Sequence, residues 1–228
     1  MKPLRTRLQE MRQRSGLPWE VLERDYLLSW ILAGISRVDV LRDTLVFKGG
    51  TALKKCYFGE YRFSEDLDFT GVGSAPTGRR MKMAMDEKML KPHPYRAVLH
   101  DYGEPLETQV QVYSLEEVVA EKLRAILQHA RALEHRGWVR SRARDYYDLW
   151  RILDAYRDQL DVEDFPEFLR EKCSIRDVTF SGIESFFPET MLAEVEKTWK
   201  QWLGPLVPEL PPCKVVIEGL RSQVATLL

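Results

Sequence analysis

The chain has 228 residues, enough for one large domain or two small ones, with a core that needs no disulfide staples. Its 34 Lys+Arg stand against 35 Asp+Glu, a formal net charge of −1, which excludes a protein that coats nucleic acid by bulk basicity but not a local basic patch. Hydrophobic residues at 44% and charged residues at 30% exclude a disordered chain.

Residues 3–14 carry Leu4, Leu8 and Met11 at helical spacing, with a basic outer face and Gly16 as terminator. Pro18 sits in the first turn of a second helix that ends near Gly34. Residues 44–48 (T-L-V-F-K) read as a buried strand closed by Gly49-Gly50, and Thr51–Tyr57 as a short helix. A strand is expected around Leu67–Thr70, a loop over 71–80, and further strands at 81–86 and 108–113. From Ser114 the pattern turns helical, with Ser114 and Glu117 spaced as a capping box and Gly137 breaking the run. Arg144–Tyr156 is a further helix, and Pro-rich turns divide the remainder into helical segments. The expected boundary lies at 113/114, between a sheet-containing domain (1–113) and a helical domain (114–228).

Cys56, Cys173 and Cys213 are far apart and odd in number, which suits unpaired thiols in a reducing compartment. None of the four histidines has zinc spacing with a cysteine. The longest nearly apolar stretch, Tyr26–Ile35, is ten residues, half of the roughly 20 that a membrane span needs. The basic first fourteen residues lead into Pro18 and Glu20 rather than an apolar segment, so no secretory leader is expected and the expected location is the cytoplasm.

Two features point to chemistry. In Arg62-Phe63-Ser64-Glu65-Asp66-Leu67-Asp68-Phe69 the strand period sets Asp66 and Asp68 side by side, with Leu67 and Phe69 turned inward. Adjacent carboxylates repel unless a cation neutralises them, and Mg²⁺ held by one or two carboxylates plus substrate phosphates is the usual answer. Alone, the pattern is better read as an exposed strand edge. About 15 residues upstream, Lys48-Gly49-Gly50-Thr51 joins a strand to a helix, where backbone amides and a helix N-terminus favour a phosphate. Alone, that turn fits a left-handed turn with Thr51 as helix cap. The two together are more informative than either.

This pair resembles the DNA polymerase β-like nucleotidyltransferases, and the wording K-G-G-T-A-L followed by R-F-S-E-D-L-D-F resembles the AbiEii/AbiGii toxin family, related to the MenT toxins. The stretch Leu115–Ala125 and Arg144-Asp145-Tyr146-Tyr147-Asp148-Leu149-Trp150 are similar to two further motifs of that family, in its order, across residues 17–155. The resemblance implies an α+β fold: a nucleotidyltransferase-like mixed sheet flanked by helices, then a C-terminal helical bundle, with the active site in the cleft between. It implies a toxin of a type IV toxin–antitoxin pair active in phage defence, transferring NMP from an NTP to an acceptor, with RNA (tRNA) as the family-level acceptor. By resemblance, Lys48, Gly49, Gly50 and Thr51 line the triphosphate turn and Asp66 and Asp68 hold Mg²⁺. Ser64 and Lys122 reach the phosphates, and Asp145 is needed for activity. Read without the family, Lys122 is a solvated helix residue, and Asp145 and Asp148 are partners of Arg142 or Arg144.

The chain departs from the family after Asp68. A long insertion is missing, and in the candidate third-carboxylate strand, Met81–Glu87, Ala84 stands where an acid is expected, with Asp86 two residues on. The alternative is therefore a non-catalytic relative that keeps the fold as a binding module for an antitoxin or a nucleic acid. Charge is also unevenly placed: Glu121–Asp145 holds seven Lys/Arg and three acids, including Arg136, Arg140, Arg142 and Arg144 around Trp138, a stretch suited to an RNA backbone or to an ordinary charged helix pair.

Overall fold

The computed structural model of the chain describes residues 2–59, 61–73, 93–99, 101–103, 105–136 and 141–228, with the backbone alone for 93–99. The chain divides into two compact units: Met1–Ser114 with Pro205–Pro208, and Leu115–Gly204 with Glu209–Leu228. The short Pro205–Pro208 stretch joins the first unit through the Phe63 amide, which donates to the Leu206 carbonyl at 3.1 Å.

In the first unit, helix α1 (Leu4–Ser15) ends at Gly16, whose φ of 68° lets its amide turn back to the Arg12 carbonyl. Helix α2 (Trp19–Ser36) buries Leu22, Leu28, Leu32 and Ala33. A short helix α3 (Asp39–Thr44), too brief to leave a periodic signature, leads into strand β1 (Leu45–Lys48). Then come a single helical turn α4 (Gly49–Ala52), a π-helical turn (Leu53–Tyr57), strand β2 (Asp68–Gly71), strand β3 (His93–Leu99) and strand β4 (Leu106–Val112). The sheet runs β2-β1-β4-β3. It is mixed, because β1 pairs antiparallel with β2 and parallel with β4. Phe47, Leu32, Cys56, Val110 and Val112 form the core beneath it, and Leu67 and Phe69 pack against that core. Burial pushes the Cys56 thiol up to about 12, so it stays protonated and inert.

The second unit is helical: α5 (Leu115–Arg136), α6 (Ala143–Tyr156), α7 (Phe165–Ser174), α8 (Glu189–Leu203) and α9 (Cys213–Ala225). Val119, Leu123 and Ile126 of α5 share its core with Leu149 and Ile152 of α6, Leu169 of α7, Val195 of α8 and Leu220 of α9, none of them accessible. The α+β class and the mixed sheet with flanking helices are thus as expected from the sequence.

Two local expectations, those for Thr51 and for Asp66, are corrected. The helix after Gly50 begins at Gly49 and turns π-helical at Leu53, so Thr51 lies inside the first turn rather than capping it. Strand β2 starts only at Asp68, so Asp66 precedes it, although the alternation of exposed acids with inward Leu67 and Phe69 does run through both. Glu117, read as the acid of a capping box, is buried and ion-paired with Lys172. The first described strand after β2 is His93–Leu99, while the expected strand at 81–86, with Ala84 and Asp86, lies outside the described residues.

Candidate active site

The antiparallel register of β1 and β2 sets Lys48 opposite Asp68. The chain leaves β1 through Gly49, whose φ of 82° is left-handed. A Cβ built on Gly49 would stand closer to Asp68 Oδ2 than any real Cβ contact allows. Only a glycine lets the turn and this carboxylate approach so closely. Gly50 is confined in the same way: its Cβ would meet the Arg62 guanidinium at 2.6 Å and Ser64 Oγ at 3.0 Å. The glycine pair, Ser64 and Asp68 therefore share one small volume. Gly49→Ala is expected to cost about 1–2 kcal/mol, from the left-handed backbone alone. The variant must also displace Asp68, so nucleotide transfer should fall further than thermal stability does; proportional losses would count against this geometry.

Thr51 is 1% exposed. Its hydroxyl donates to the Asp66 carbonyl at 2.5 Å, so it ties the turn to the acidic segment and is not directed at a ligand. Lys48 Nζ lies 3.5 Å from the Tyr113 hydroxyl and over the ring of the same tyrosine. Tyr113 is 1% exposed and its hydroxyl also meets Thr70 Oγ1 at 2.6 Å, so one buried phenol just past β4 reaches both β1, through Lys48, and β2 beyond it. Asp66 and Asp68 themselves are exposed.

Two groups were not singled out by the sequence. Arg62, only 4% exposed, packs on Gly50 and donates to the Phe63 carbonyl. Its signal was its place at the head of R-F-S-E-D-L-D-F. The second is a buried ion cluster beneath the π-helical turn: Lys55 Nζ bonds Asp25 Oδ2 and Ser29 Oγ, both at 2.9 Å, and the Tyr102 hydroxyl donates to Asp25 Oδ2 at 3.2 Å. With Lys55 2% and Asp25 1% exposed, this pair fixes the turn to α2. The spacing of Asp25 and Ser29, one turn apart on the inner face of α2, was the available sign.

In the helical unit, Lys122 Nζ sits 2.9 Å from Asp145 Oδ1 and 2.7 Å from Asp148 Oδ2. Asp148 is fully buried. Asp145 also accepts from Arg142 at 2.9 Å, and Arg142 in turn bonds His129 Nδ1. Lys122 is thus an ordered, paired lysine rather than a solvated one. Burial pushes the Asp145 carboxyl up, but Lys122 and Arg142 outweigh it and hold its pKa below the usual carboxylate value. A carboxyl lowered in the native state adds stability above its unfolded pKa of about 3.9, and that stability is lost as pH falls through the native value. Asp145→Asn should therefore flatten the dependence of stability on pH below about 4; an unchanged slope in acid titration of the folded protein would contradict the assignment.

Asp66 and Asp68 suit a Mg²⁺ ion. They are hard oxygen donors on one side of the segment, beside a glycine cradle that a Cβ would fill. Among the described residues there is no group of three or more His, Cys, Asp or Glu that could hold a metal ion. No helix among the described residues is long and apolar enough to cross a membrane.

A mixed sheet with a glycine turn leaving one strand and Asp68 opposite it on the antiparallel neighbour is consistent with a nucleotidyltransferase-like fold. The model of the family described as nucleotidyl transferase AbiEii toxin, type IV TA system, matches residues 30–88 and 77–225, and the chain belongs to that family. No curated protein and no solved structure gives a significant match.

Proposed function

We propose that the protein is a Mg²⁺-dependent nucleotidyltransferase toxin of a type IV toxin–antitoxin pair, acting in the cytoplasm and in phage defence, which transfers NMP from an NTP to the 3′ end of an RNA, with tRNA the acceptor class to test first. The observation that supports it most is the packing of Asp68 against Gly49, with Ser64 and Arg62 against Gly50. Phosphoryl transfer asks the protein chiefly for positioning and for compensation of charge. The Gly49-Gly50 amides and the Ser64 hydroxyl bind and orient the triphosphate. Asp66 and Asp68 would hold the metal, which when bound supplies Lewis-acid polarisation of phosphate oxygens. Lys48, held by Tyr113, adds positive charge beside the turn. In the helical unit Lys122 is assigned to a phosphate contact and Asp145 and Asp148 to keeping its ammonium oriented. The acceptor 3′-hydroxyl forms a bond to the α-phosphorus as the bond to the β-phosphate oxygen breaks, so NTP and RNA yield extended RNA and pyrophosphate.

The test is incubation with each labelled NTP, Mg²⁺ and total RNA, beside an Asp66→Ala/Asp68→Ala variant. Transfer by the parent alone is expected. No transfer by the parent, with NTP binding retained, would favour the non-catalytic relative with its antitoxin or nucleic-acid partner.

A further inference from the structure

On the opposite side of α5 from Lys122, by the 100° step of an α-helix, lies a shallow cavity of about 260 Å³. Gln128, Arg131, Ala132 and His135 of α5 line it, together with Arg176 and Val178 from the loop that follows α7. The α5 residues fall at i, i+3, i+4 and i+7, so they form one stripe down a rigid helix. Val178 is buried and makes the floor, while Arg131, His135 and Arg176 are exposed at the rim. None of the six lining residues is an acid. Arg131 is also held in place: its guanidinium donates to the carbonyl of Asp177, a residue with the left-handed φ of 53°. The basic excess between residues 121 and 145 thus has two parts. Lys122 and Arg142 are spent on Asp145 and Asp148, whereas Arg131 and His135 face a cavity.

We propose that this cavity is a phosphate-binding exosite for the body of an RNA, distinct from the nucleotide-transfer residues. The choice of RNA as the polyanion rests on the acceptor proposed for the transfer reaction. Two arginine forks flanking a concave, apolar-floored site fit phosphodiester oxygens, since each guanidinium offers paired N–H donors in one plane. Arg131 of α5 and Arg176 of the loop after α7 both line the site, so a backbone crossing it meets more than one cation. Gln128 adds an amide whose oxygen accepts from Arg124 at 2.5 Å, which leaves its N–H donors for a ribose hydroxyl.

Binding of a fluorescent, hairpin-capped RNA with a single-stranded 3′ end is measured by anisotropy between 50 and 200 mM salt, for the parent, Arg131→Gln/Arg176→Gln and Arg131→Glu/Arg176→Glu. The Gln pair should reduce the slope of log affinity against log salt by about 1.5, at roughly 0.7–0.9 per phosphate contact, and the Glu pair should weaken binding about tenfold or more at fixed salt. Circular dichroism melts confirm folding, and because the Gln pair removes positive charge without adding negative charge, a misfolded Glu pair leaves the slope to decide. Unchanged slope and affinity in both variants, or no RNA binding by the parent at 50 mM salt, overturns the proposal. So does binding of a polyglutamate probe that is lost in the variants while RNA binding persists, because the site then takes an acidic protein. Anisotropy needs no turnover. A parent that binds RNA through this site but transfers no nucleotide refutes the enzymatic reading and leaves the exosite standing.

Discussion

Replacing both Asp66 and Asp68 by alanine is expected to lower nucleotide transfer by at least about a thousand-fold, equivalent to about 4 kcal/mol of transition-state stabilisation. The size follows from what the two side chains do. They are the exposed acids of the segment that packs on the glycine turn, and one of them contacts that turn so closely that Gly49 can carry no side chain. If they hold the metal as proposed, their loss leaves the triphosphate charge without that ion to offset it, and amide and hydroxyl donors alone would bind the substrate and its transition state to a similar extent. The fold should change much less than the activity. Both side chains are exposed and removing two adjacent like charges relieves repulsion, but Asp68 packs on the turn, so stability should fall by no more than about 1–2 kcal/mol. The single variants separate the roles. Asp68→Asn keeps the shape against Gly49 and should lose activity without loss of NTP binding, whereas Asp68→Ala opens the turn and should raise the KM for NTP as well. A double variant that retains even a tenth of the parent's activity would remove these carboxylates from the chemistry.

The sequence carried this part of the site because the part is local. Lys48 and Asp68 are paired across two antiparallel neighbours, and the strand, glycine turn and acidic segment follow one another with nothing long between them. Glycine pairs and alternating acids are signals that periodicity can expose. What it could not expose were contacts made between distant elements. Asp25 and Lys55 belong to separate helical elements and meet only because α2 lies against the π-helical turn. Tyr113 ends one strand and bonds Thr70 of another. Thr51 illustrates a subtler limit: its position in K-G-G-T suits a cap or a phosphate donor equally, and only the partner of its hydroxyl, the Asp66 carbonyl, decides the matter. Lys122 and Asp148 form the same kind of long-range pair, and α5 and α6 bury their carboxylate completely. Amphipathic spacing showed both helices but not that their polar residues face one another.

Lys172→Met should cost about 3–5 kcal/mol of stability, more than Gly49→Ala or the loss of both site carboxylates. Lys172 and Glu117, its ion-pair partner across α7 and α5, are each 1% exposed at the side chain. Removing the lysine leaves the Glu117 carboxylate buried without its main counter-charge, which is far more costly than the net worth of the pair. Glu121, itself an acid, cannot replace the lost counter-charge. It stands 3.8 Å from Lys172, keeps 18% exposure, and already pairs with Arg124 at 2.7 Å. In urea, with m near 1–3 kcal/mol/M for a small domain, the midpoint should fall by about 1–5 M. The double variant Lys172→Met/Glu117→Leu decides whether the loss comes from an orphaned charge or from lost packing. Replacing both partners with apolar side chains of similar bulk removes the stranded carboxylate, so at least half of the stability should return. If the double variant is as unstable as the single one, the shape of the α5–α7 contact rather than its charge holds these helices together. The Phe168 ring, 5.7 Å from the Lys172 ammonium, would then be the next side chain to truncate.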